Sequence, residues 1–330
     1  MKIDKSVLVI APSSKIPKYP DSISLAKDYL SNNFSSYVLP DNTFSNELQP
    51  FNRANTPEIT SKLLKDAILS DNEIIWAVSG GNGGSETLEY LKYYQNFIPD
   101  DGLFKKKVVV GYSDITALHL YWASHGGKSI HGALLSEVIY DKGASATSET
   151  METLCAVLGE TSNRLSYDDI SLFNPMKNIV NNDNIHGNII GGNLTLITNS
   201  IGTDWEVDAK DKILFIEDIN SYPYAVSRDL MHLLQSNILD DIKAIIFGDF
   251  LYSHQDQEEK SYDEALSLFQ SALNTRYGED HSIPLFKIPN IGHGLAIDHN
   301  NGINRALVFG VDSTIDINNH TLTMDISDIF

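Results

Sequence analysis

The chain has 330 residues, of which 42% are hydrophobic and 21% charged, and a formal net charge of −20. Those proportions exclude intrinsic disorder and collagen-like structure, and the length fits one large or two medium domains. A surface this acidic repels phosphate backbones, which argues against nucleic-acid and anionic-membrane partners. The single cysteine, Cys155, rules out an intrachain disulfide and a cysteine-based metal cluster. The apolar run Val7–Ala11 is too short for a signal-peptide core and flows into Pro12 and Ser13. No stretch approaches the ~18 apolar residues of a membrane span, so a cytoplasmic protein is expected.

In chain order, Lys5–Ala11 reads as a buried strand ending at a Pro-Ser turn, and Ser22–Asn32 has helical spacing. Pro57–Ser70 predicts a helix, with Thr56 as N-cap and Pro57 at its first position. Glu73–Val78 is a second strand, followed by the glycine loop Ser79–Gly84 and a helix through Leu88 and Leu91. Lys107–Gly111 is a third strand that runs directly into a helix over Ile115–Ser124, and Ser129–His131 begins another. Val- and Ile-rich strands alternating with helices predict a parallel sheet covered on both faces. From 161 to 184 the pattern dissolves into Asn, Asp, Ser and Pro, as a connection between domains would. The second half resumes with Ile185–Ile190, Gly191-Gly192-Asn193 and a helix through Ile197. Strands at Lys212–Glu217 and Ala244–Gly248, helices at Ser227–Ser236 and Tyr262–Tyr277, and a β-rich tail complete it. The expected division is 1–165, a linker over 166–184, and 185–330.

The sharpest chemical feature is Gly111-Tyr112-Ser113-Asp114. A strand ends, Ser113 sits on the turn, and a helix begins, which exposes a hydroxyl beside free N–H groups at the carboxyl edge of a sheet. This is nucleophile-elbow geometry without the second glycine of G-x-S-x-G. Ser113 or Asp114 could equally be a helix cap. A serine nucleophile needs a base oriented by a carboxylate. Among ten histidines, His293 is flanked by Gly292 and Gly294, which can present its ring in a cleft. Glu217 ends a buried strand, where an unpaired charge is costly, and Asp218 should point the other way. The amides of the glycine loop could form an anion nest or an oxyanion hole, although the loop fits neither dinucleotide nor P-loop spacing. His119, His125 and His131 are spaced by six and do not stack on one helical face. His293 and His299 flank Asp298 in what reads as loop, and no metal or other cofactor is expected.

The chain resembles the LD-carboxypeptidases, a family that includes the microcin-immunity serine peptidases. The resemblance rests on Ile74-Ile75-Trp76 with Gly80-Gly81, on Gly111 through Leu118, on His131-Gly132 and on Gly191-Gly192-Asn193-Leu194. It continues through Ile216-Glu217-Asp218, Pro223-Tyr224, Arg228, Gly248-Asp249-Phe250 and Gly292-His293-Gly294. It implies a Rossmann-like α/β N-terminal domain, a mixed, β-rich C-terminal domain, and an active site at their interface. It implies a triad of Ser113, Glu217 and His293, backbone oxyanion donors at Gly81 and Asp114, and substrate contacts from Asn82, His131 and Asn193. The implied activity is release of the terminal D-amino acid of murein tetrapeptide through an acyl-enzyme, by a cytoplasmic homodimer. The immunity branch instead cleaves an aminoacyl- or peptidyl-nucleotide amide. The chain departs from the carboxypeptidase pattern at Ser79, where that branch commonly has Arg, at Asn82, where Tyr is common, and at Asn220-Ser221-Tyr222, before Pro-Tyr. A binding module without catalysis, or a nucleotide-binding α/β protein using the glycine loop, would be the alternatives on the same fold.

Overall fold

Continuous apolar runs build the first sheet because both of its faces are covered. The computed structural model describes residues 2–15, 21–44, 49–140, 148–173, 184–251, 259–278, 283–294 and 302–330. In it β1 (Ile3–Ile10), β2 (Phe34–Val38), β3 (Ile74–Ala77), β4 (Val108–Gly111) and β5 (Lys128–His131) pair in parallel, in the spatial order β5-β4-β3-β1-β2. Alternate residues serve opposite cores: Val7, Val9, Ile74, Trp76, Val108 and Val110 on one face, Leu8, Ile10, Ile75, Ala77 and Val109 on the other. Each such fully buried aliphatic side chain stabilises by roughly 1.5–3 kcal/mol. The helices that link these strands and flank the sheet are α1 (Ser22–Asn33), α2 (Pro57–Leu69), α3 (Gly84–Tyr93), α4 (Asp101–Phe104), α5 (Thr116–Ser124), α6 (Leu135–Tyr140) and α7 (Ser148–Leu158). Pro57 opens α2 as expected, but Thr56 makes no side-chain cap bond.

The second sheet is mixed. Its parallel centre is β8 (Asn184–Asn193), β9 (Ile213–Ile219), β10 (Ala244–Leu251) and β11 (Leu285–Lys287). Antiparallel strands flank it: β6 (Arg164–Tyr167), β13 (Asp312–Asp316) and β14 (Thr321–Asp325) on one side, β7 (Ser171–Leu172) on the other. Helices α8 (Leu194–Ser200), α9 (Pro223–Gln235) and α10 (Glu259–Tyr277) complete this half. Among the described residues no helix is long and apolar enough to cross a membrane.

Two features cut across the expected division. β12 (Leu307–Phe309) leaves the second half and pairs antiparallel with β5, at the edge of the first sheet. The segment expected to be a bare connection carries β6 and β7, both in the second sheet; its residues 174–183 lie outside those described.

The two sheets meet close to the elbow. Gly192, at the end of β8, has φ +134°, and a Cβ there would lie 2.4 Å from Thr116 Oγ1. Only glycine permits that approach. The adjoining Asn193 N–H donates to Thr116 Oγ1 at 2.9 Å. The carboxyl end of β8 is thereby pinned to the first turn of α5, three residues past Ser113.

Candidate active site

β4 delivers Ser113 to the turn before α5 with φ +65°, in the left-handed region that serine adopts only under constraint. The glycine loop passes directly over it: a Cβ on Gly80 would lie 2.9 Å from Ser113 Cβ and 3.2 Å from its Oγ. Gly81 is exposed, and among the described residues its N–H has no hydrogen-bond partner. Asp114 is the second residue of the short turn, where no earlier carbonyl of that turn is within reach of its N–H.

Glu217 lies on β9 and is fully buried, and its Oε2 stands 2.5 Å from His293 Nδ1. His293 is 4% exposed, and the edge of its ring packs on Tyr112 at 4.8 Å between centroids. The residue before Ser113 therefore touches the histidine that Glu217 holds. With Nδ1–H donated to the carboxylate, the lone pair of His293 falls on Nε2. Nε2 is buried and makes no hydrogen bond in this structure, so the contact to Ser113 Oγ is not closed. Catalytic hydrogen bonds are often long before substrate binds.

Burial alone would lower the proton affinity of His293, but the Glu217 charge and hydrogen bond outweigh it and raise the pKa above the ordinary imidazole value. Three more carboxyls surround the pair. Burial pushes Asp218 up to about 6, against bonds from Ile219 N–H, Asn193 and Thr195. Burial likewise pushes Asp249 up to about 7, against the Asn290 N–H bond. It pushes Glu137 up to about 7, against Tyr112 Oη, which donates to its Oε1, and Leu134 N–H. Near neutral pH Glu137 and Asp249 are thus partly protonated, while Asp218 is mostly ionised and its charge, after that of Glu217, helps to raise the His293 pKa.

The three expected substrate contacts fare differently. Asn82 is exposed on the glycine loop. Asn193 Oδ1 accepts from Leu196 N–H as the cap of α8, and its Nδ2 donates to Asp218; these bonds use about half of the amide's capacity. His131 is corrected by the structure: it is 0% exposed, walled in by Tyr112, His119, Phe215 and Phe309, and has no face to offer a substrate. Burial holds it well below the ordinary pKa, so it is a neutral core ring. His299 and Asp298 lie outside the described residues. Sequence reasoning missed Glu137 and gave Asp249 no site role beyond the Gly248-Asp249-Phe250 match; both couple to His293 through long-range packing.

Known proteins sharpen the comparison. Residues 7–132 match the LD-carboxypeptidase N-terminal domain and residues 186–312 the LD-carboxypeptidase C-terminal domain. A Rickettsia conorii protein, whose name assigns it provisionally to the carboxypeptidases, is 30% identical over 94% of this chain and 87% of its own. The murein tetrapeptide carboxypeptidase of Pseudomonas aeruginosa is 26% identical over 76% and 74%. The microcin C7 self-immunity protein of Escherichia coli is 24% identical over 70% and 72%. In fold, the chain superposes on muramoyltetrapeptide carboxypeptidase from Oxalobacter formigenes with a TM-score of 0.73, at 24% identity and 97% coverage of both chains. MccF in complex with glutamyl sulfamoyl guanosine gives 0.74, at 17% identity, covering 98% of this chain and 97% of its own. Two domain profiles in order, a relative matched nearly end to end, and one shared two-sheet fold lead to a single assignment: the chain belongs to the LD-carboxypeptidase family.

Proposed function

We propose that this protein is a serine hydrolase that removes the terminal D-amino acid from murein tetrapeptide. The observation that carries the reading is the buried 2.5 Å pair of His293 and Glu217, set against Tyr112 next to the strained Ser113. His293 Nε2 takes the proton of Ser113 as Oγ bonds to the scissile carbonyl carbon. The oxyanion that forms is met by the N–H groups of Gly81 and Asp114. The C–N bond then breaks, His293 returns its proton to the leaving amine, and the acyl group remains on Ser113. Water, deprotonated by His293, releases the acid and restores the serine. Asn82 and the unused half of the Asn193 amide supply polar contacts to the peptide. The same reading carries a cytoplasmic homodimer.

The test is mass spectrometry of products from murein tri-, tetra- and pentapeptides and from an aminoacyl sulfamoyl adenylate, with Ser113→Ala as control. Loss of one D-alanine from the tetrapeptide, absent in the control, is expected. The second reading, an immunity-type amidase, draws on Ser79: this half-buried hydroxyl offers no charge to a substrate carboxylate. Cleavage of the sulfamoyl adenylate alone would select it.

A further inference from the structure

The carboxylate of Asp114 takes no part in the proton transfers above, yet it is buried, 5% exposed, directly after the nucleophile. Its Oδ2 accepts from Ser13 Oγ at 2.5 Å and from Gly84 N–H at 2.8 Å. Those donors belong to two other segments, the loop that leaves β1 and the far end of the glycine loop. The two loops are also laced to each other. Ser14 N–H donates to Gly80 O at 3.0 Å, and Asn82 N–H donates to Ser14 Oγ at 3.1 Å. Ser13 is anchored behind by Ala54 N–H, which donates to its carbonyl at 2.9 Å. One carboxylate oxygen is thus the point where the elbow, the glycine loop and the β1 exit meet.

The arrangement has a cost that calls for a return. Burial raises the proton affinity of Asp114, and the Ser13 and Gly84 bonds oppose that shift. A capping residue on the surface would carry no such penalty. A strained serine at the start of a single 3₁₀ turn and a loop whose Gly81 N–H has no partner among the described residues both need an external splint. Oxyanion donors work only when held at about 2.7–3.1 Å from the place where the charge develops. A loop free to drift by an ångström would lose most of that effect.

We propose that Asp114 is a positioning residue for the hydrolysis: its carboxylate ties the Gly80–Gly84 loop to the elbow and so fixes the oxyanion donors relative to Ser113 Oγ. This rests on the proposed serine mechanism. The side chain touches neither substrate nor reacting atoms, and its effect falls on turnover, because the oxyanion exists only after attack.

The experiment begins with wild-type protein titrated by a fluorophosphonate, with Ser113→Ala as blank. Wild type unlabelled at Ser113 overturns the hydrolase reading and this proposal with it; labelled wild type isolates the proposal. Turnover per labelled site, KM and melting temperature are then measured for Asp114→Ala and Asp114→Asn. The alanine variant should lose about 10²-fold in kcat with KM within about threefold. The asparagine variant should recover to within about tenfold of wild type, since its amide oxygen, set where Oδ2 stands, can accept from both Ser13 Oγ and Gly84 N–H. A merely structural role would lower the melting temperature of both and leave kcat per labelled site unchanged, which overturns the proposal. So does a loss confined to KM, or asparagine no better than alanine. Should the alanine variant not fold, Ser13→Ala decides: a kcat roughly 3- to 10-fold down supports the splint, and wild-type kcat removes it.

Discussion

Glu217 Oε2 and His293 Nδ1 meet at 2.5 Å in a site that leaves the glutamate fully buried. In such surroundings a hydrogen bond to a charged group is strong, and removing one partner strands the other. Glu217→Gln keeps the shape but can turn an N–H toward Nδ1. That favours the ring tautomer with its proton on Nε2, which cannot accept from Ser113. Turnover should fall by about 10³–10⁴ with the fold retained. Steady-state kinetics beside a thermal melt check this, and near-normal turnover would remove Glu217 from the mechanism.

The raised pKa of His293 fixes the sign of the pH dependence. The base works only when neutral, so kcat/KM should climb with pH along a limb centred above the ordinary imidazole value of about 6.5. Stability runs the other way. The proton held more tightly by the folded state stabilises it below about pH 6.5, and that contribution is lost as pH rises through the folded-state pKa. In Glu217→Gln the residual activity limb should move to lower pH. A flat profile from pH 5 to 8 in wild type speaks against His293 as base.

Ser113 holds φ +65°, a conformation that costs a non-glycine residue on the order of 1 kcal/mol. Ser113→Ala should abolish labelling and cut turnover by about 10⁴ or more while leaving the melting temperature near wild type. Ser113→Gly should be equally inactive and at least as stable, because glycine relieves the strain. A glycine variant clearly less stable than alanine would show that the elbow stores no strain.

Gly81, exposed on the glycine loop, has φ +101°, and its N–H is the proposed oxyanion donor. Proline, fixed near −65°, cannot take that conformation and would remodel the loop instead of deleting one donor. A backbone ester at Gly81 removes the N–H and keeps the shape. Semisynthetic protein of this kind should lose about 10²–10³ in kcat with little change in KM. Unchanged kcat would place the oxyanion elsewhere.

What could be read from the chain was whatever local pattern encodes. The apolar runs of β1, β3, β4, β9 and β10 and the turns at Ser113 and His293 announce themselves within ten residues. β2 did not, since only Phe34 of Phe34–Val38 is buried. Three-residue β12 has no periodicity to detect, and its place beside β5 depends on a partner some 175 residues away. His131 entered as a substrate contact only through the family resemblance; it ends β5, which runs between β4 and β12, and its ring is covered. Asp114 looked like a cap because its partners, Ser13 and Gly84, are distant in sequence.

Asp249 offers a stability measurement that is separate from catalysis. It stands on β10 beside the His293 loop, where its Oδ1 accepts from Asn290 N–H and its own N–H donates to Ile291 O. Burial pushes its pKa up to about 7, so between about pH 4 and 7 the folded protein keeps a proton that the unfolded chain releases. The unfolded state binds fewer protons in that window, and stability therefore declines as pH rises through it. Above pH 7 the carboxylate is ionised in both states, and the folded protein bears the full cost of holding the charge in a half-buried site. Asp249→Asn removes the charge and keeps an acceptor for Asn290. Denaturant unfolding should find the variant more stable than wild type by on the order of 2 kcal/mol at pH 8, with the difference shrinking toward zero near pH 4. A difference that grows toward acid pH would mean that Asp249 is ionised and favourably paired in the folded state, and that the negative charge crowding Glu217 is relieved by some other group.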